Sequence, residues 1–165
     1  MGNEAPSGRA YRVSIITASD KGVRGERVDE SGPLIRRMVL AAGYRVGECL
    51  LLSDDQEGLE KEMRRICDDN LADLILTTGG TGFSPRDRMP EASAAVGERP
   101  VPGIPEAMRQ YSLGLTKRAM LGRGTAVIRG KTLIVNLPGS PKAVEEQLSF
   151  ILTELPHGLD MLTGL

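Results

Sequence analysis

One glycine-rich loop carries the residue types best suited to chemistry, since residues 77–87 read TTGGTGFSPRD. Its glycines remove side chains from the backbone, so that main-chain N–H groups can approach a ligand closely. Together with threonine hydroxyls, such N–H groups bind phosphate oxygens without a cationic side chain. The candidate phosphate-binding residues of this loop are Thr78, Gly79, Gly80, Thr81 and Gly82. A tight strand-to-helix turn without any ligand is the alternative explanation of a G-G-T-G sequence.

An acidic residue in the same loop is a stronger clue than the glycines. Asp87 follows them closely, and a carboxylate beside bound phosphate is unfavourable because like charges repel each other. A metal ion or a transferred proton would remove that repulsion. Pro90 and Glu91 then begin a predicted helix, whose N-terminus adds partial positive charge. The loop is therefore predicted to bind an anion, with Asp87 in a chemical role.

The elements that must position this loop alternate between strand and helix patterns. Residues 74–78 (LILTT) have the composition of a strand buried on both faces. Further strands are predicted over residues 11–19, 44–52, 124–129 and 132–136. Because such alternation is typical of parallel sheets covered on both faces, the sequence predicts an α/β three-layer sandwich. Its sheet is mainly parallel, with one antiparallel edge formed through the turn at Gly130 and Lys131.

Polar residues follow three more of the predicted strands. Ser19 and Asp20 end the first strand, Asp54 follows the second, and residues 136–140 (NLPGS) follow the last. Loops at the carboxyl ends of parallel strands meet at one edge of a sheet, so these loops and the glycine-rich loop are expected to form one site. Two serines and an aspartate have local alternatives, because Ser53 or Asp54 can cap the next helix and Ser140 can cap the last.

Amphipathic patterns predict the helices between these strands. The predicted helices cover residues 31–42, 56–70, 104–121 and 141–155. The 56–70 helix is expected to bury Leu71 with its apolar face. The 104–121 segment is expected to present Met108, Tyr111, Leu115 and Met120 on one helical face, with an interruption at Gly114. Residues 21–30 are predicted to be a loop, residues 1–10 a flexible tail, and residues 11–165 a single domain.

Composition excludes several classes of function. The 165 residues carry a net charge of −1 and no tryptophan, which disfavours nucleic-acid binding, and no segment is apolar enough for a signal peptide or a membrane span. Cys49 and Cys67 form no C-x-x-C pair, which favours reduced thiols in a cytoplasmic protein. His157 is the only histidine, so a histidine-based metal cluster is not expected.

The sequence TTGGTGFSPRD, followed by PEA at residues 90–92, resembles the signature of the MoaB/Mog family. These proteins are the molybdopterin adenylyltransferases of molybdenum cofactor biosynthesis and also form the G domain of gephyrin. The resemblance extends from about Tyr11 to the C-terminus. It departs from the family at Met89, where relatives usually carry a threonine whose hydroxyl could cap the helix or contact the ligand.

The resemblance implies transfer of AMP from MgATP to molybdopterin, with release of pyrophosphate. It implies that Asp54 and Asp87 are catalytic and hold Mg²⁺. The residues expected to contact substrate or phosphate are Ser19, Asp20, Thr78, Gly79, Gly80, Thr81, Gly82, Ser112, Asn136, Pro138, Gly139 and Ser140. It further implies a homotrimer or hexamer, and the downstream molybdenum insertase as a partner. The residues alone, without the resemblance, support only a phosphate-binding pocket.

Two other functions are compatible with the sequence. A carrier or scaffold module would bind molybdopterin or its adenylate without turnover, because a fold does not determine an activity. A nucleotide-binding module unrelated to molybdenum would bind ATP independently of any pterin. Ser112 has a local alternative as well, since a serine within a helix often makes only hydrogen bonds to its neighbours.

Overall fold

The computed structural model describes residues 8–165, which form one six-stranded sheet covered by helices. The strands are β1 (Arg12–Ala18), β2 (Arg45–Leu52), β3 (Leu74–Thr78), β4 (Arg99–Pro100), β5 (Ala126–Arg129) and β6 (Thr132–Leu137). Their order is β2-β1-β3-β6-β5-β4. The first four strands in this order pair in parallel, and β5 and β4 continue the sheet in antiparallel pairs. The predicted mainly parallel sheet with an antiparallel edge is confirmed.

The central strand β3 is buried along its whole length, as its continuous apolar composition predicts. The helices are α1 (Asp20–Val23), α2 (Ser31–Ala41), α3 (Gln56–Asp68), α4 (Met89–Val96), α5 (Gly103–Leu113), α6 (Pro141–Ile151) and α7 (Leu155–Thr163). A 3₁₀ helix, Lys117–Leu121, follows α5.

Two hydrophobic cores cover the two faces of the sheet. Successive residues of a strand point to opposite faces, and accordingly Leu74 and Leu76 belong to one core while Ile75 belongs to the other. Helices α2, α5, α6 and α7 contribute to the first core, and α3 and α4 contribute to the second. The three-layer sandwich predicted from the sequence is therefore confirmed.

Two local predictions are wrong. The 21–30 segment begins within a short helix, because α1 covers Asp20–Val23 with Ser19 as its N-cap. The helix predicted over 56–70 ends at Asp68, and Leu71 beyond it is 37% exposed rather than buried. The interruption predicted at Gly114 within residues 104–121 is confirmed, since α5 ends at Leu113 and a separate 3₁₀ helix follows.

Residues 1–7 of the predicted tail lie outside the described residues. Within the described part of that tail, Arg9 lies 3.8 Å from the Asp73 carboxylate and stacks over the Tyr11 ring at 5.4 Å. Residue 9 therefore contacts the domain. Over residues 8–165, none of the helices has the length and apolar character needed to cross a membrane.

Met89, the position at which the sequence departs from its relatives, lies in the second core. Its side chain is 0% exposed and clusters with Leu59, Met63 and Ile75, while its backbone N–H donates to the Gly80 carbonyl at 3.1 Å. The side chain at position 89 therefore faces the core between the sheet, α3 and α4. It is not placed to contact a ligand at the glycine-rich loop, and no side chain caps α4.

Replacing Met89 with threonine should destabilise the protein by about 2–4 kcal/mol, because the change removes buried apolar volume and adds a buried hydroxyl. Urea unfolding of the variant measures this loss. Met161→Thr is the matched control, since Met161 is 66% exposed. Its substitution should change the free energy of unfolding by no more than about 0.5 kcal/mol. Equal stability of Met89→Thr and the parent protein would contradict the buried position of the side chain.

Candidate functional site

The largest crevice near the predicted site opens where the strand order changes direction. The chain passes from β1 to β2 on one side and then crosses to β3 on the other side, and open α/β sheets bind ligands at such a switch point. A cavity of about 650 Å³ lies there. Its lining includes seven of the predicted site residues, which are Ser19, Thr78, Gly79, Gly80, Asp87, Gly139 and Ser140.

Two glycines shape the floor of the cavity through positive φ angles. Gly79 has φ of +88° and Gly80 has φ of +70°, which is a conformation that other residues rarely adopt. A Cβ atom at Gly79 would lie only 2.3 Å from the Ala18 carbonyl oxygen. The loop after β3 is therefore packed directly on the end of β1, and glycine is required for that approach.

Gly79→Ala should lower the free energy of unfolding by about 3 kcal/mol, because alanine there meets both the positive φ and the Ala18 carbonyl. Gly43→Ala is the matched control. Gly43 has φ of +89°, and a Cβ added to it would have no atom within 4 Å. The loss of unfolding free energy in Gly43→Ala therefore reports only the cost of the positive φ angle, about 1–2 kcal/mol. Denaturant unfolding compares the two, and equal losses would contradict the close packing of Gly79 on β1.

Two aspartates hold the loops after β1 and β2 together. The Asp20 N–H donates to Asp54 Oδ2 at 3.0 Å, and the Asp54 N–H donates to Asp20 Oδ1 at 3.0 Å. The neighbouring Asp55, not Ser53 or Asp54, caps α3 by accepting from the Gly58 N–H at 2.8 Å. Asp54 is therefore not used as the helix cap, and the capping alternative for Ser53 and Asp54 is wrong.

The environment affects the two paired aspartates in opposite directions. Hydrogen bonds from the Arg86 guanidinium, at 3.0 Å to each oxygen, lower the pKa of Asp20 to about 2. Burial raises the pKa of Asp54 above its usual value; the Asp20 N–H opposes that rise, and the charges of Asp20 and Asp87 add to it. A cation beside Asp54 would favour its ionised form.

Asp87 is held at the cavity by its own loop. Its Oδ2 accepts from the Ser84 N–H at 2.9 Å, and its N–H donates to the Ser84 carbonyl at 2.9 Å. A Cβ at Gly82 would approach the same Oδ2 to 2.8 Å, so this glycine leaves room for the carboxylate. Asp87 lines the cavity directly, whereas Asp54 lies beside Gly80, whose added Cβ would be 3.4 Å from Asp54 Oδ1.

The loop after β6 closes the opposite side of the cavity. Thr78 Oγ1 donates to the Pro138 carbonyl at 2.6 Å, and Ser31 Oγ donates to the Gly139 carbonyl at 2.8 Å. Ser140 caps α6 by accepting from the Ala143 N–H at 3.3 Å. The capping role foreseen for Ser140 is therefore present, while the residue also lines the cavity.

Several predicted site residues lie away from this cavity. Thr81, Asn136 and Pro138 line a separate cavity of about 40 Å³. Asn136 Nδ2 donates to Thr77 Oγ1 at 3.0 Å and to Ser93 Oγ at 2.9 Å, so its amide joins β6 to β3 and α4. Asn136 is 2% exposed, and its place in the structure is that of a buried connector.

Ser112 is also distant from the lining of the larger cavity. It is 4% exposed, and its Oγ accepts from Gln147 Nε2 at 2.9 Å. This contact joins α5 to α6, so it is a tertiary contact, and the alternative that Ser112 bonds only to its helix neighbours is wrong.

The structure adds cavity residues from the segment between α1 and α2 and from the end of β1. Asp29 Oδ2 accepts from Thr17 Oγ1 at 2.8 Å, and its Oδ1 accepts from the Gly32 N–H at 2.9 Å. Arg27 and Ser31 line the same cavity, and Arg27 brings a positive charge to it. The sequence signal for this segment was its position after β1, at the edge where the other polar loops meet.

The donor set fits a magnesium ion that is shared with substrate. Among residues 8–165, three or more His, Cys, Asp or Glu side chains do not come together as a metal cluster. Mg²⁺ commonly binds one or two carboxylates and completes its shell with water and substrate phosphate oxygens. Asp54 and Asp87 provide two carboxylates beside the glycine-rich loop, which meets that requirement.

Similar proteins have the same fold and related functions. The model of a family described as "Probable molybdopterin binding domain" matches residues 14–157. A molybdopterin adenylyltransferase of Helicobacter pylori J99 is 35% identical, and the match covers 94% of this chain and 90% of that protein. The molybdopterin adenylyltransferase of Escherichia coli K12 is 37% identical over 83% of this chain and 71% of its own length.

A solved structure agrees with these sequence matches. The molybdopterin biosynthesis enzyme MoaB from Thermus thermophilus is 46% identical and superposes with a TM-score of 0.89. The superposition covers 94% of this chain and 98% of that one. The family model, the relatives matched over most of their length and the solved structure all indicate the family that residues 77–87 resemble. The chain therefore belongs to the MoaB/Mog family of molybdenum cofactor biosynthesis proteins.

Proposed function

We propose that this protein transfers AMP from MgATP to molybdopterin, giving adenylylated molybdopterin and pyrophosphate. The observation that carries the proposal is the 650 Å³ cavity, in which the Asp87 carboxylate lies beside a glycine-rich loop at the carboxyl edge of the sheet. A carboxylate in a phosphate pocket is expected where a metal-assisted transfer occurs. The relatives named molybdopterin adenylyltransferase support the same reaction.

In this reaction a terminal phosphate oxygen of molybdopterin attacks the α-phosphorus of ATP. The new P–O bond forms as the bond to the bridging oxygen of the β-phosphate breaks, and pyrophosphate leaves with that electron pair. Two anions must approach each other, so the site has to position the oxygens in line. We assign this positioning to the main-chain N–H groups of Gly79 and Gly80 and to the N-terminus of α6 at Ser140, which line the cavity.

The acidic residues hold the charge-compensating ion. Asp54 and Asp87 would bind Mg²⁺ directly or through its waters, and Mg²⁺ when bound neutralises the phosphate oxygens. Asp20 keeps Asp54 in place through their reciprocal hydrogen bonds. Arg27 lines the cavity and adds a cationic contact for phosphate.

Pyrophosphate release from MgATP, measured with and without purified molybdopterin, tests the proposal. We expect release only when molybdopterin is present. Absence of release together with tight binding of molybdopterin would replace the transferase by the carrier function. Binding of ATP that molybdopterin does not alter, without release, would favour a nucleotide-binding module unrelated to molybdenum.

We also propose that the protein is a cytoplasmic homo-oligomer, a trimer or a hexamer, which delivers its product to a molybdenum insertase. Support for assembly comes from apolar side chains on α5, on the 3₁₀ helix and in the turn between them that are exposed in the single chain: Tyr111 by 40%, Leu115 by 55% and Met120 by 62%. Support for the compartment comes from Cys49 and Cys67, which are both free thiols. The molar mass in solution tests the assembly, and a monomer at micromolar concentration would contradict it.

A further inference from the structure

A single arginine, distant in sequence, contacts the loop that carries Asp87. Arg123 lies between the 3₁₀ helix and β5. Its Nε donates to the Gly82 carbonyl at 2.8 Å, and its Nη2 donates to the Asp87 carbonyl at 2.8 Å. Its Nη1 donates to the Glu91 carboxylate, and its backbone N–H donates to the Thr81 carbonyl at 3.0 Å. The arginine thus bonds to both ends of the loop and to α4 behind it.

The loop has few other contacts that could fix its position. Residues 83–86 are exposed, and Phe83 is 70% exposed. Within the loop, the hydrogen bonds join Ser84 to Asp87, and they set its local turn without attaching it to the rest of the fold. The bidentate Arg86–Asp20 ion pair attaches the loop to the start of α1, just after β1, but it does so through a side chain that is 59% exposed, and it contacts neither α4 nor the Asp87 end of the loop.

Guanidinium is suited to this task because its donors lie in one plane and diverge in fixed directions. Here each of its three nitrogens meets an oxygen from a different residue, namely Gly82, Asp87 and Glu91. The Arg123 side chain is 33% exposed, so these bonds are partly shielded from water. A lysine carries one nitrogen on a flexible stem and cannot reproduce this planar set of contacts.

We propose that Arg123 is a positioning residue, which fixes the 82–88 loop against α4 and thereby sets the place of the Asp87 carboxylate for the transfer. The role of the loop in catalysis rests on the proposed function, whereas the anchoring itself does not. Arg123 does not line the 650 Å³ cavity, so it acts through the loop. Its loss should lower kcat more than it raises KM, since the misplaced group acts in the reaction step.

The first test measures loop order without any substrate. Hydrogen exchange of the full chain reports on the amides of Ser84, Asp87 and Met89, which are hydrogen-bonded to Asp87 Oδ2, Ser84 and Gly80. In Arg123→Gln these amides should lose protection while those of β1 and β3 keep theirs. Arg123→Lys should show an intermediate loss. Unchanged protection in Arg123→Gln would overturn the proposal.

Arg129→Gln is the matched control. Arg129 also bonds a carboxylate and a carbonyl, because it pairs with Asp68 at 2.9 Å and donates to the Val96 carbonyl at 3.0 Å at the other end of α4. Arg129→Gln therefore removes contacts of the same kind as Arg123→Gln does, but at a place away from the loop. It should leave the loop amides protected and the transfer rate unchanged. Equal effects from both variants would mean that Arg123 contributes only general stability, and would overturn the proposal.

The second test connects the anchor to Asp87 in the reaction. A displacement of about 1 Å can cost about 100-fold in rate, so we expect kcat of Arg123→Gln to fall by up to about 100-fold with little change in KM. In the Asp87→Asn background the same substitution should have little further effect, because the group it positions is already removed. Full additivity would overturn the proposal. Absence of transfer in the parent protein would contradict the proposed function. Hydrogen exchange would still show whether Arg123 anchors the loop.

Discussion

Asp87→Asn should lower the rate of AMP transfer by about 100- to 1,000-fold, which is the usual loss when one group that stabilises charge in the transition state is removed. The asparagine oxygen can still accept from the Ser84 N–H, which holds Asp87 at 2.9 Å, so the loop and the fold should persist. Molybdopterin binding should also persist, since the loop N–H groups are unchanged. Single-turnover pyrophosphate release and equilibrium binding of molybdopterin measure the two effects separately.

Asp69→Asn is the control for this loss of charge, because Asp69 is exposed at the end of α3. It should release pyrophosphate at the parent rate. Unaltered single-turnover transfer by Asp87→Asn would remove Asp87 from the mechanism. Loss of molybdopterin binding together with transfer would instead mean that the carboxylate acts in binding.

Asp54→Asn should abolish most transfer and yet stabilise the protein at neutral pH. Burial raises the pKa of Asp54, so the folded state favours the protonated carboxyl. The contribution of this group to stability is present below the ordinary aspartate pKa and is lost as pH rises through the raised value. At neutral pH the ionised carboxylate is therefore a cost, and asparagine removes it while still accepting from the Asp20 N–H.

Thermal unfolding of the metal-free protein measures this effect. The Tm of Asp54→Asn should exceed that of the parent at neutral pH, and the difference should shrink as the pH falls through the raised pKa of Asp54 toward about 4, the ordinary aspartate value. The Mg²⁺ dependence of residual transfer tests the metal role, and an unchanged dependence would show that Asp54 does not hold the ion. Asp55→Asn is the control, since asparagine also caps a helix and should leave the rate and its metal dependence unaltered.

The architecture was predictable because its signals are local. The continuous apolar composition of residues 74–78 indicated a strand buried on both faces, and β3 is buried throughout. The rule that ligands bind at the carboxyl ends of parallel strands placed the loops after β1, β3 and β6 together, and they do line one cavity. Gly79 and Gly139, whose positions depend on the backbone alone, lie in the lining of that cavity.

The remaining errors arise where distant parts of the chain decide the outcome. The local pattern indicated Ser53 or Asp54 as the cap of α3, whereas Asp55 is the cap, because Asp54 makes a reciprocal bond with Asp20 from a separate loop. Arg123 has no motif that connects it with the glycine-rich loop, so its contacts with Gly82 and Asp87 became visible only in the folded chain.

Periodicity also could not separate a buried face from an exposed one. Met108 of α5 is 4% exposed, whereas Tyr111, on the same predicted face, is 40% exposed and stacks on Phe150 at 4.5 Å. An apolar stripe identifies a helix that contacts something apolar. It does not show whether the apolar surface that the helix contacts belongs to the same chain or to a partner chain.

The short strand β4 limits how copies of this protein can join. It has only two residues, Arg99 and Pro100, at the outer end of the antiparallel side of the sheet. Proline has no N–H to offer, and two residues are too few to template a further strand. A neighbouring molecule cannot extend the sheet across this border by main-chain pairing. Any stable contact there has to rely on the fit of side chains, which makes self-recognition dependent on sequence instead of on backbone hydrogen bonds that any chain could offer.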